Sequence, residues 1–132
     1  DLPRVHIDAE RLRQVLLNLA QNAAQAMEGK GRLVMRTRLV PGQTGEGARR
    51  AVEVHVEDTG PGIPERIQRS LFVPFVTTKE RGTGLGLAIS QRIVMAVGGT
   101  ITARSTTGGS TFVVRLPAAE PPTIAETSHA AE

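Results

Sequence analysis

Apolar residues recur along this chain with two different periods. From Arg11 to Met27 the step is helical: Leu12, Val15, Leu16, Leu19, Ala23 and Met27 fall three or four apart, on one face. Asp8 stands where an N-cap belongs, and Glu10 lies in the first turn, where the helix dipole favours a carboxylate. Gly29 and Gly31 close the segment. From Ala51 to Asp58 the period is two. Val52, Val54 and Val56 alternate with Glu53, His55 and Glu57, which predicts a strand buried on one face and wet on the other. Leu33 to Val40 reads as a strand, and Val5-His6-Ile7 as a short one. Pro64 starts a short helix expected to reach about Leu71. Leu85, Ala88, Ile89, Ile93, Ala96 and Val97 mark a second long helix, closed by Gly98-Gly99. Thr100 to Arg104 and Thr111 to Leu116 form a final hairpin around Gly108-Gly109, with Phe112, Val114 and Leu116 on one face. Pro41 to Gly47 is a turn-rich loop, and Phe72 to Gly84 is irregular.

The order β-α-β-β-(α)-loop-α-β-β predicts an α/β two-layer sandwich: a mixed sheet of about five strands, covered on one face by two or three helices. The 132 residues suit one domain, placed at residues 1–117. The tail 118–132 has few large apolar residues and is expected to be disordered. A chain that begins at Asp1, without Met, and runs straight into structured sequence reads as a piece of a longer protein.

Composition narrows the chemistry. Aromatic residues make up only 2% of the chain, so the core must come from aliphatic side chains and a base-stacking nucleic-acid platform is disfavoured. The absence of cysteine excludes disulfides, thiolate metal sites and thiol catalysis. No apolar run approaches a membrane span. The net charge of +3 is too mild to decide between a solvated surface and a polyanion partner.

Three stretches carry candidate chemistry. Asn18 and Asn22 are i and i+4 on the first helix, with Gln14 and Gln25 extending the stripe. They are either a solvated polar face or amide-oxygen ligands for a hard cation such as Mg²⁺. Asp58-x-Gly60-x-Gly62 follows a strand directly. It is either a plain turn or a carboxylate presented to an exocyclic amine, with Ile63 offering an apolar face to a base. Gly82-Thr83-Gly84-Leu85-Gly86-Leu87 opens the second helix. Glycine-rich backbone at a helix N-terminus suits an anion, and a loop running into a helix start is the simpler alternative. The pattern is neither a Rossmann nor a P-loop fingerprint. Lys79 is one of only two lysines and suits a phosphate as a point charge, or else is a solvated surface lysine.

Taken in order, these stretches resemble the boxes of the catalytic, ATP-binding domain of sensor histidine kinases, in the gyrase–MutL–histidine-kinase ATPase superfamily. Arg11 to Ala23 looks like the N box and Asp58-Thr59-Gly60-Pro61-Gly62-Ile63 like the G1 box. Phe72-Val73-Pro74-Phe75-Val76-Thr77-Thr78-Lys79 is similar to the F box, and Gly82 to Ile89 to the G2 box. Gly109-Ser110-Thr111-Phe112 looks like a closing G-T-x-F-like element. The short lid form is most similar to nitrogen-regulation-type kinases.

The resemblance implies a Bergerat-type fold that binds Mg-ATP and donates the γ-phosphoryl to a histidine on a separate dimerisation domain. It implies that Asn22 holds the Mg²⁺. Asn18 stands where hydrolytic relatives carry a general-base Glu; an amide cannot accept a proton from water, which favours transfer over hydrolysis. Asp58 is implied to accept from adenine N6, with Thr111 helping through water. Gly60, Gly62, Gly82, Gly84 and Gly86 lend backbone freedom, and Ile63, Thr78, Lys79, Thr83 and Leu85 complete the nucleotide contacts. Lys79 joins Asn18 and Asn22 as a catalytic candidate, and it gains weight because Gln25 and Ala26 occupy the turn past Asn22. Phe72 and Phe75 are implied lid anchors. His6, His55 and His129 lack the context of a phosphoacceptor, so the substrate half is expected elsewhere in the parent kinase. The implied partners are ATP, that dimerisation domain and a response regulator, with no nucleic acid. The implied setting is a monomeric cytoplasmic domain. An anti-sigma-type serine kinase or ATPase of the same superfamily is the alternative, and a non-catalytic basic binding module a more distant one.

Overall fold

A computed structural model describes residues 2–41, 49–73, 85–106 and 108–119. The first periodic segment forms helix α1, Ala9–Ala26. Asp8 occupies its N-cap, but the carboxylate makes no capping bond; the Asp8 carbonyl accepts the Leu12 N–H at 2.9 Å. The helix ends where Glu28 (φ 53°) and Gly29 (φ 78°) turn left-handed. Two strands follow, β1 at Leu33–Val40 and β2 at Ala51–Asp58. Helix α2 spans only Glu65–Gln68, shorter than expected, and the chain continues in turns to Val73. Helix α3 covers Gly86–Met95, and the hairpin strands are β3 at Thr100–Thr106 and β4 at Gly109–Pro117. Among the described residues, no helix is long and apolar enough to cross a membrane.

The sheet order is β1-β2-β4-β3. The sheet differs from expectation in two respects. The described sheet has four strands rather than about five, because the Val5–Ile7 segment makes only one bridge, Val5 to Ala118, before the chain turns into α1. The sheet is also antiparallel throughout rather than mixed. β2 and β3 do run in the same direction, with α3 in the connection between them. β4 lies between the two, so the parallel strands never touch. Backbone order extends past β4, where Ala118 N–H donates to Arg50 O at 2.9 Å and Ala119 N–H to Arg4 O at 2.6 Å.

The two-layer sandwich follows from the period of two. Val54, Val56, Phe112, Val114 and Leu116 face the helices and pack with Val15 and Leu19 of α1 and Ile93 and Val94 of α3. Val15, Leu19, Val94 and Val114 are fully buried. The other sheet face is polar, where Glu53 collects Arg38, His55 and Arg115. Asp58, at the end of β2, lies on the core-facing side of this alternation, and that places the candidate site at one end of the sheet.

Candidate nucleotide site

Asp58 is 7% exposed, and both carboxylate oxygens are held by the protein. The Gly60 N–H donates to Oδ1 at 2.9 Å and the Ser110 hydroxyl to Oδ2 at 2.7 Å. Charge-assisted bonds of this length fix the orientation of the group, and each oxygen keeps a second lone pair for an incoming donor. Ser110 sits opposite Asp58 in the β2–β4 register. Thr111, the residue expected to assist Asp58, is paired with Glu57 and Arg104 and belongs to the other face of the sheet. The reason is the pleat: neighbouring residues on a strand point to opposite sides, so a one-residue offset changes the face. A signal for Ser110 was present, since it falls two residues before Phe112, where the G-T-x-F pattern has its threonine.

The glycines next to Asp58 have steric reasons. A Cβ on Gly60 would lie 3.1 Å from Asp58 Oδ1 and 3.3 Å from Met27 Cγ. Gly109 has φ 147°, and a Cβ there would collide with the Asp58 carbonyl oxygen. The loop after Asp58 is pinned from both sides. Thr59 Oγ1 accepts the Arg32 N–H at 2.9 Å, joining the loop to the segment between α1 and β1. Ser105 Oγ on β3 accepts the Ile63 N–H at 3.0 Å, and the Gln68 side chain donates to the Ile63 carbonyl at 3.2 Å. Ile63 packs at the edge of the core. Phe72 meets Phe112 edge to face, with ring centroids 6.5 Å apart and an interplanar angle of 85°.

Helices α1 and α3 meet at Asn18. Asn18 Nδ2 donates to the Gly86 carbonyl at 3.4 Å and to Ser90 Oγ at 3.2 Å. Ser90 is fully buried, one of three buried polar or charged residues among those described, and the sequence pattern did not single it out. Gly86, the first residue of α3, lies against Asn18. Leu85 caps that helix through its carbonyl, which accepts the Ile89 N–H at 2.9 Å. Asn22 lies one turn beyond Asn18 on α1 and is half-buried. The structure therefore brings Asp58, Gly60, Gly62 and Ile63 together on one loop, and Asn18 together with Gly86 at the α1–α3 contact. Phe75, Thr78, Lys79, Gly82, Thr83 and Gly84 lie outside the described residues.

The donor set indicates which metal chemistry fits. Among the described residues, no cluster of three or more His, Asp or Glu could cage an ion. The Asn22 side chain offers an amide oxygen, a hard donor of the kind Mg²⁺ takes together with phosphate oxygens and water.

Residues 7–120 match the family model described as histidine kinase-, DNA gyrase B- and HSP90-like ATPase. The chain is 44% identical over 120 residues to the sensory histidine kinase/phosphatase NtrB of Salmonella typhimurium, covering 88% of this chain and 34% of that protein. It is 42% identical over 118 residues to the signal transduction histidine-protein kinase AtoS of Escherichia coli, covering 89% of this chain and 18% of that one. The chain thus spans about a third or less of these curated relatives. Among solved structures, a mycobacterial sensor histidine kinase, MprB, superposes with a TM-score of 0.70 at 28% identity, covering 86% of this chain and 76% of the other. The catalytic domain of histidine kinase ThkA gives 0.65 at 34% identity, covering 85% and 70%. With its two-layer antiparallel fold and an aspartate anchored at the end of the sheet, the chain belongs to the histidine kinase-, DNA gyrase B- and HSP90-like ATPase family.

Proposed function

We propose that this chain is the Mg-ATP-binding catalytic portion of a sensor histidine kinase. It donates the γ-phosphoryl to a histidine on a separate dimerisation domain, from which a response regulator is served. The observation that carries the reading is the Asp58 carboxylate, buried at the end of β2 and oriented by Gly60 N–H and Ser110 Oγ–H. A carboxylate with fixed direction and spare lone pairs accepts from an exocyclic amine such as adenine N6, and Ile63 supplies the apolar surface beside it. The T-shaped Phe72–Phe112 contact supports Phe72 as an anchor for the segment that follows.

Asn22 is proposed as the Mg²⁺ ligand, and Lys79, Thr78, Gly82, Thr83 and Gly84 as phosphate contacts. When bound, Mg²⁺ supplies charge neutralisation at the phosphates. Asn18, tied by its nitrogen to Gly86 and Ser90, is not a base for water activation, which supports transfer to a protein over hydrolysis. His55 is hydrogen bonded to Glu53 on the polar sheet face, whereas Asp58 lies on the helix-covered face, so it is not read as the phosphoacceptor. A cytoplasmic setting and a domain boundary near residue 117 belong to the same proposal. Titration calorimetry tests it. Asp58→Asn replaces the charged acceptor, and loss of about 1–3 kcal/mol gives roughly 5–150-fold weaker Mg-ATP binding. Unchanged affinity would remove Asp58 from the site.

A further inference from the structure

We propose that the end of the sheet opposite Asp58 carries a second ligand site, for a small anion bearing two or more phosphate or carboxylate groups. A cavity of about 410 Å³ there is lined by Arg49, Arg50 and Arg115, with Thr100 and the Gly98-Gly99 backbone. Its place follows from the strand. Ala51 lines the cavity and Asp58 is the last residue of β2, so seven steps of about 3.3 Å separate the two sites by roughly 23 Å. The volume falls in the usual range for small-ligand pockets, about 300–1,000 Å³.

Three features make this more than a basic surface. The arginines come from two segments far apart in sequence, residues 49–50 and strand β4, and converge on one concavity. Among the described lining residues none is acidic. The third lining element is the Gly98-Gly99 turn, held close against β4. Gly98 has φ 82°, and a Cβ on Gly99 would collide with the Arg115 carbonyl oxygen and lie 2.9 Å from Val94 Cγ1. Arg115 is already positioned, with Nη1 3.7 Å from Glu53 Oε2, and a guanidinium has further N–H donors to offer. Planar forks on separate segments match a ligand with at least two anionic groups better than a single monoanion. This site does not depend on the nucleotide reading.

The test is an amide NMR titration of the 132-residue chain with pyrophosphate and, separately, citrate, at constant ionic strength. The expected result is saturable shifts at Gly98, Gly99 and Thr100 with either probe. Pyrophosphate alone would assign phosphate chemistry, and citrate alone carboxylate chemistry. Arg49 is exposed, so Arg49→Gln keeps the fold. That variant should bind about tenfold or more weakly, through loss of a charge-assisted bond. The proposal is overturned by shifts that do not saturate and are matched by sodium chloride, by shifts confined to residues 58–63, or by an Arg49→Gln variant that binds as the parent does.

Discussion

Replacing Ser110 by Ala isolates the bond that orients Asp58. The Ser110 hydroxyl donates to Oδ2 at 2.7 Å, and the two residues are 5% and 7% exposed, so solvent cannot fully replace the donor. Hydrogen bonds to charged groups contribute about 1.5–3 kcal/mol, and a buried acceptor left short of a donor falls in the same range. For a domain of this size that loss lowers Tm by roughly 5–12 °C. Urea denaturation of four proteins (parent, Ser110→Ala, Asp58→Asn and the double variant) measures the coupling. In the Asp58→Asn background the truncation removes only a neutral hydrogen bond, about 0.5–1.5 kcal/mol. The expected coupling is therefore about 1 kcal/mol or more. Thr111→Ala, on the other face, should cost less than about 1 kcal/mol, within the span of strand propensities. Equal cost of Ser110→Ala in both backgrounds, within roughly 0.5 kcal/mol, would refute the reasoning, as would a Thr111→Ala variant less stable than Ser110→Ala.

Two further substitutions test the packing around the site. Gly109→Ala forces a Cβ into the Asp58 carbonyl at φ 147° and should cost about 2–5 kcal/mol in urea, combining overpacking and backbone strain. Gly108→Ala, with open space around its Cβ, should stay within about 0.5 kcal/mol of the parent. Leu19 is fully buried between sheet and helices, so Leu19→Ala should lose about 2–5 kcal/mol, whereas Leu17→Ala, 48% exposed, should lose less than about 1.

Elements whose cause is local could be read from the chain alone. The helical period put α1 within two residues of its observed start, and the strands read at Leu33 to Val40 and, by strict alternation, at Ala51 to Asp58 matched β1 and β2 at both ends. Hydrophobic period and turn residues act over a few positions, so they can be read without knowing what packs where. The order of the candidate boxes was legible for the same reason: loops and caps are written in contiguous residues. Pairing is not local. Long-range packing placed β4 between β2 and β3, which leaves the sheet antiparallel, and gave Val5 a bridge rather than a strand. Register decided that Ser110 rather than Thr111 meets Asp58, because one step along a strand reverses the side chain. Helix packing brought Ser90 to Asn18, 72 residues away, and strand order gathered Arg49, Arg50 and Arg115 around one cavity. In each case the deciding quantity is a contact between distant segments, whose energy exists only once the sheet has chosen its neighbours.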